Sequence, residues 1–329
     1  MSAISRRHFI GSAAAASAIP LIGPSAHAQT DWPTRSIKII AGYPAGGQTD
    51  LFARTYGEHI RAETGQSVTV ENKAGASGSV AAVEAKRAVP DGYTLMFTIT
   101  TTMIMNRLLI KDIPYDADKD FVIVSIMPAG SLPFVAGEKT GAKTLAEFVA
   151  FAKKAERVNI GTYGAGSYAH MAIVEMNKLY GLKIEPVHYR GEAPMWTDLA
   201  GGFIDGAHGS YGAALSVLQS GRGTAVAVSR KRMSVLPDVP SFAELGVTPH
   251  LFRLTGFQCC VVPAGTPAEI IQKLSKLLVA GGKTEKVQQL MKSFGVDDTA
   301  MAFEATQKLF KEEAPIWLES VASLGLAPS

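Results

Sequence analysis

Short apolar, β-branched runs alternate along this chain with longer segments whose apolar positions recur every three or four residues. Ile37 to Tyr43, Val68 to Glu71, Thr94 to Thr100, Val158 to Thr162, Ile184 to Tyr189, Ile204 to His208 and Ala225 to Ser229 read as strands. Leu51 to Thr64, Ser79 to Val89, a segment after Ser167 ending near Gly181, another through Leu199, and Tyr211 to Gln219 read as helices. From Pro267 onward the pattern is almost entirely helical. Such alternation predicts an α/β fold with largely parallel sheets.

Helix boundaries are marked chemically. Thr144 with Glu147, Ser241 with Glu244, and Thr266 with Glu269 each have capping-box spacing, and Pro267 suits a first helical position. Gly65 reads as a helix stop. Two apolar extended stretches, Phe121 to Val135 and Leu254 to Val262, read as crossovers between lobes. The expected division is residues 31–130 plus 256–329 in lobe 1 and 131–255 in lobe 2. Two crossovers make a hinge that closes the lobes around a ligand.

The first 28 residues change the picture, because they read as an address. Ser5-Arg6-Arg7-His8-Phe9-Ile10 is a twin-arginine pattern, followed by a short apolar run to Ile22 and by Ala26-His27-Ala28, a cleavage site. Gly11, Pro20, Gly23 and Pro24 interrupt that run, which is too short to span a bilayer. The expected location is therefore periplasmic, and the mature form is expected not to be membrane-embedded. The segment carries Arg6 and Arg7 and no acidic residue, so without it 30 basic side chains face 29 acidic ones. That balance gives no support to nucleic-acid binding. Cys259 and Cys260 are adjacent, a poor arrangement for a disulfide, and read as two buried thiols.

Three segments have one physical character: a strand end, a glycine-rich turn and a helix start. They are Ala45 to Asp50, Gly75 to Gly78, and Gly164 to Tyr168. Glycine lets the backbone approach a ligand, and first-turn amides lack intrahelical partners. Together with the helix dipole they attract carboxylates, and strand carboxyl ends are where open α/β sheets bind ligands. Asp50 is expected to fold back onto first-turn amides as a cap, leaving Thr49 for ligand contact. His170 and His208 sit where they could face a cleft, and Arg190 could lend a charge to an anion.

One rival pattern exists. Gly164, Gly166 and Ala169 follow a strand and open a helix, with Glu185 near the next strand, close to a dinucleotide fingerprint. It predicts an exported oxidoreductase. Glu185 begins its strand, however, where a ribose-binding acid would end it. No GxSxG, HExxH, CxxC or Walker pattern occurs. His170 and His208 lack the carboxylate spacing of a metal site. The residues thus point to a binding protein, not an enzyme, with no cofactor and no metal.

Further segments carry a family resemblance. They are Trp32-Pro33-Thr34-Arg35-Ser36-Ile37, Tyr43-Pro44-Ala45-Gly46-Gly47-Gln48-Thr49-Asp50, Val70 to Gly78 and Pro90-Asp91-Gly92-Tyr93-Thr94-Leu95. Pro114-Tyr115-Asp116, Leu236 to Pro240 and Pro263-Ala264-Gly265-Thr266-Pro267 complete the set. In this order they make the chain resemble the Bug family of extracytoplasmic solute receptors, the binding proteins of tripartite tricarboxylate transporters. The resemblance implies a type II periplasmic-binding-protein fold and a small carboxylate held by backbone groups of the first turn. It also implies membrane permease subunits as partners. It maps ligand contacts onto Ala45 to Thr49, onto Thr100 and Thr101 at a strand end, onto Gly164 to His170 and onto the loop at His208. With the glycine turns read above, the expected contacts on one side are Tyr43, Ala45, Gly46, Gly47, Thr49, Ser77, Thr100 and Thr101. Tyr163, Gly164, Gly166, Ser167, His170, Arg190 and His208 are the expected contacts on the other. Two departures stand out: Tyr43 where the family often has Phe, and Ala207-His208-Gly209-Ser210 where a strand often ends in Asp-Asn. With Met103 and Met105 nearby, the added His and Tyr suggest a bulkier or aromatic acid. A sensor subunit feeding a membrane signalling protein would use the same cleft.

Overall fold

The computed structural model describes residues 31–189, 191–254 and 256–328; the leader expected over residues 1–28 and Arg190 lie outside the described residues. The first sheet has strand order β2-β1-β3-β10-β4, built from β1 (Ile37–Ala41), β2 (Val68–Asn72), β3 (Thr94–Ile99), β4 (Phe121–Pro128) and β10 (Phe257–Pro263). The second has the order β7-β6-β8-β5-β9, from β5 (Pro133–Gly137), β6 (Val158–Thr162), β7 (Ile184–His188), β8 (Gly206–His208) and β9 (Gly223–Val228). The two orders are one pattern repeated. In each, three parallel strands are followed by one antiparallel strand, β10 or β5, and then by a fifth. The sheets are therefore mixed, not simply parallel. The antiparallel strand is in each case the one whose chain has just left the other sheet.

Connections in the first half are α1 (Gln48–Thr64), α2 (Ser79–Lys86), α3 (Asn106–Leu109), entered through a wide turn at Thr101–Met105, and α4 (Ala117–Asp120). In the second half they are α5 (Leu145–Lys154), α6 (Tyr168–Tyr180), α7 (Glu192–Ala200) and α8 (Tyr211–Gln219). The chain closes with α9 (Ala268–Gly281), α10 (Glu285–Ser293) and α11 (Phe303–Ala322). Both faces of β1 are covered: Ile39 and Ile40, which point to opposite sides, are fully buried. That requires helices on each face of the sheet, and each such isoleucine contributes about 2 kcal/mol of burial.

The expected helix signals divide. Thr144 and Glu147 form the complete capping box of α5, and Gly65 closes α1 in the left-handed region. Ser241 and Glu244 make the same exchange of bonds, but over a turn with no helix behind it. The Thr266 hydroxyl donates instead to the Pro263 carbonyl at 2.8 Å, and Pro267 is the N-cap of α9, one position earlier than expected. Cys259 and Cys260 are both free and buried on opposite faces of β10, and burial pushes both thiols up.

The two sheets are tied together on one side. Asp298 pairs with Lys231 at 2.6 Å and with Arg230, and Ser234 Oγ donates to Asp297 at 2.6 Å. The long α11 lies on β4, on the Thr101–Met105 turn and on the His250–Arg253 turn, and its Trp317 meets Tyr168 at 6.0 Å between ring centroids. From Trp32 onward the chain holds together as one compact unit.

Candidate functional site

The β1–α1 turn is exposed at Pro44, Ala45, Gly46 and Gly47. Gly47, in extended conformation, is the N-cap of α1 and supplies no side chain to it. The Leu51 amide returns to the Gly47 carbonyl at 3.0 Å. The amides of Gln48, Thr49 and Asp50 are thus the bare first turn of a 17-residue helix, with a dipole worth roughly half a positive charge behind them. Asp50 does not cap this turn as expected. Its carboxylate accepts the Gly46 amide at 2.9 Å, the Asn72 side-chain amide at 2.9 Å and Arg54 Nε at 3.0 Å. Burial alone would push this carboxyl up. Arg54, the Gly46 amide and Asn72 outweigh it and hold the group below the usual carboxylate range. The Gly46 amide is therefore spent, while the turn it fixes stays open: a β-carbon on Gly46 would meet nothing within 4 Å. Thr49 is 4% exposed, so the half-buried Gln48 presents more of the turn to solvent.

The β2–α2 turn supports the first. Gly75, Ala76, Ser77 and Gly78 all have positive φ, of 140°, 44°, 52° and 87°. At Ala76 and Ser77 that costs on the order of 1 kcal/mol or more each. Three donors converge on the inward-turned Ser77 carbonyl and offset it: Tyr43 OH at 3.1 Å, Thr102 Oγ1 at 3.0 Å and Asn106 Nδ2 at 3.0 Å. Tyr43 is thereby positioned between the turns, and burial pushes its phenol up. The Ser77 side chain stays exposed. Thr100 is buried and holds both backbone groups of Phe257, accepting its amide at 2.8 Å, so its hydroxyl is committed to the chain's own backbone. Thr101 is half-buried against Met105. Met103 and Met105 point into the core, which removes two of the residues behind the aromatic-acid expectation.

The β6–α6 turn differs in kind. The Ser167 hydroxyl accepts the His170 amide, and burial pushes the Tyr163 phenol up. One first-turn amide of α6 is therefore taken by a side-chain cap, whereas α1 has none. Gly164 is open, with φ of 150° and nothing within 4 Å of a β-carbon. Gly166 is buried; its amide donates to His170 Nδ1 at 3.2 Å, and a β-carbon there would lie 2.7 Å from both methyls of Leu109. That contact brings the carboxyl end of β6 against the segment leaving the carboxyl end of β3.

His208 does not face solvent. It is fully buried at the end of β8, with its ring centroid 5.3 Å from Tyr168, 5.9 Å from Phe134 and 6.0 Å from Phe242. Its Nε2 donates to the Leu132 carbonyl at 3.0 Å and its buried Nδ1 has no partner. Burial pushes it down to about 4, so the ring is neutral. Arg190 lies outside the described residues. Two groups at the second sheet's carboxyl ends were missed from the sequence. His188 closes β7, with Nδ1 2.7 Å from Thr162 Oγ1 and its ring 4.6 Å from that of His170. Glu192 opens α7 and accepts both the amide and the hydroxyl of Ser210, with burial pushing its carboxyl up. A polar residue ending a strand is the signal that could have found His188.

The dinucleotide reading fails on register. Glu185 pairs with Asn159 at the amino ends of β7 and β6 and is bound to Arg157 at 2.6 Å. It therefore stands at the opposite end of the sheet from Gly164 and Gly166. Among the described residues no three His, Cys, Asp or Glu side chains gather as a metal would need. Surface cavities of about 370 Å³ lie beside Arg230 and Asp298, and beside Trp32 and Lys276. Neither includes a residue of the glycine turns; exposed amides form a surface site and need enclose no such volume.

Two mixed five-stranded α/β sheets, with glycine turns and helix-start amides at their strand ends, define a binding protein of the periplasmic type. The family described as "Tripartite tricarboxylate transporter family receptor" matches residues 52–326, and the chain belongs to it. A UPF0065 protein of Bordetella bronchiseptica is 35% identical over 254 residues, 77% of this chain and 74% of its own. Rpa4515 of R. palustris, solved with adipate, superposes with a TM-score of 0.79 at 26% identity, covering 91% of this chain and all of its own. The periplasmic binding protein BugD superposes with a TM-score of 0.74 at 27% identity over 91% of this chain and 100% of its own. The family is one of solute receptors, not enzymes. No helix among the described residues is long and apolar enough to cross a membrane.

Proposed function

We propose that this chain captures a small aliphatic di- or tricarboxylate outside the cytoplasmic membrane and delivers it to the membrane subunits of a tripartite tricarboxylate transporter. Residues 1–28 direct export by the twin-arginine route, with cleavage near Ala28. Residues 31–130 with 256–329 form one lobe, residues 131–255 the other, and the ligand closes them. One carboxylate rests on the exposed Ala45–Gly47 turn and takes the first-turn amides of α1. The observation that carries this reading is the contrast between helix starts: the Ser167 hydroxyl caps α6 by accepting the His170 amide, while the 17-residue α1 has no side-chain cap. The adipate in the similar Rpa4515 structure is a ligand of the same chemistry. Ligand bound only by the closed form shifts the population towards closure.

The test is a melting panel with adipate, succinate and citrate, their neutral diamides or triamide, and benzoate. At a ligand concentration 100 times Kd the native state gains about 2.7 kcal/mol. Aliphatic acids should raise Tm while the amides leave it unchanged, and Gly47→Val should abolish the rise, since its side chain would cover the turn. Equal effects of acids and amides would refute carboxylate recognition. A response to benzoate alone would restore the aromatic-acid reading.

A further inference from the structure

We propose that His170 and His188 form the receiving group for a second carboxylate, so that this receptor selects diacids over monoacids. The inference rests on the proposed first seat at α1. Ser167 takes the His170 amide at the start of α6, and side chains at that point add donors for an anion. The two histidines are the pair in position. His170 stands in the first turn of α6 and His188 at the carboxyl end of β7, beside the turn whose Gly166 meets Leu109 of the first half.

Both rings are anchored through Nδ1. The Gly166 amide donates to His170 Nδ1 at 3.2 Å, which leaves the proton of the neutral ring on Nε2. His188 Nδ1 is 2.7 Å from Thr162 Oγ1. The rings meet edge to face at 4.6 Å, so each fixes the other's orientation. Among the described residues no hydrogen bond engages either Nε2, and the groups bonded to the rings are an amide and a hydroxyl, both neutral. The nearby carboxylate of Glu192 is turned to Ser210. This is an imidazole pair with no counter-ion among the described residues. Burial, and then His188, push His170 down to about 4, and burial pushes His188 down. An arriving carboxylate would accept from His170 Nε2 and draw a proton onto His188 Nε2, since His188 Nδ1 donates to Thr162, whose hydroxyl donates to the Gly164 carbonyl; both bonds are then charge-assisted and stronger than neutral ones.

The experiment is calorimetric titration of the full mature protein with two matched pairs, adipate against hexanoate and succinate against butyrate. The variants are His188→Ala, at an exposed position on an edge strand, and His170→Asn, whose side-chain oxygen can still accept the Gly166 amide. A diacid should bind the native protein at least about tenfold more tightly than its monoacid, and each variant should lose about that factor for diacids only. Nitrogen NMR of the histidine rings should show the Nε2 resonances of both moving with adipate and still with hexanoate. Equal loss for diacids and monoacids, no loss, or Nε2 signals unmoved by adipate would overturn the proposal. Diacids and monoacids binding the native protein equally well would sink this inference and spare the α1 seat; no binding by either would sink both.

Discussion

Acidifying this protein should destabilise it through His208. The ring is fully buried among Tyr168, Phe134 and Phe242, its Nε2 hydrogen is committed to Leu132, and its Nδ1 faces no acceptor. A second proton would create a buried charge with an unmatched donor, which is why the group lies near 4 and not at 6.5. With the folded value below the unfolded one, the unfolded chain holds more protons between them, and stability falls as pH falls. The penalty is absent above about pH 6.5, grows through pH 5 and is complete near pH 4. At 1.36 kcal/mol per unit the full penalty is about 3 kcal/mol, with about 2 kcal/mol of it developed between pH 7 and pH 5. The comparison is urea unfolding of the native protein and His208→Gln at those two pH values. Gln keeps a donor for Leu132 but does not titrate. The variant should start less stable by about 1 kcal/mol and lose about 2 kcal/mol less on acidification. Identical pH dependence in the two proteins would refute the burial argument.

Other substitutions separate support from contact. Gly78→Ala places a β-carbon 2.2 Å from Thr102 Oγ1 at a φ of 87°; thermal melting should show a loss on the order of 2 kcal/mol. Asp50→Ala frees the Gly46 amide and leaves Arg54 and Asn72 without their shared acceptor. It should cost about 2 kcal/mol by urea titration and weaken carboxylate binding through a loosened turn. Thr144→Ala removes the α5 cap, on an element of the second half that carries none of the proposed contacts, and should lower stability by about 1 kcal/mol with ligand affinity by calorimetry unchanged.

What could be read from the sequence was mostly local. The strand Ile37–Ala41, two residues shorter than the run Ile37 to Tyr43, and the helix Tyr211–Gln219 follow from side-chain period alone, and the Thr144 box forms because both partners lie within one turn. Glycine turns were visible as turns. Which of their amides stay free was not, because that depends on which side chains fold back onto them: Asp50 takes Gly46, His170 takes Gly166, and Ser167 takes His170. His208 illustrates the same limit. A histidine at a strand end looks exposed in sequence, but Phe134 on β5 and Phe242 close over it from other elements. His188 acquires meaning only beside His170, 18 positions away in sequence and 4.6 Å between rings in space. Thr266 was misread because its hydroxyl bonds back to Pro263 before the helix begins.

The account depends on helix-start amides of α1 as the place where a carboxylate lodges. A crystal structure of the mature protein grown with adipate tests that directly. One carboxylate should lie within about 3 Å of the Gln48 and Thr49 amides, against the Ala45–Gly47 turn. Adipate bound with both carboxylates away from α1, in the cavity beside Arg230 and Asp298 for instance, would contradict it.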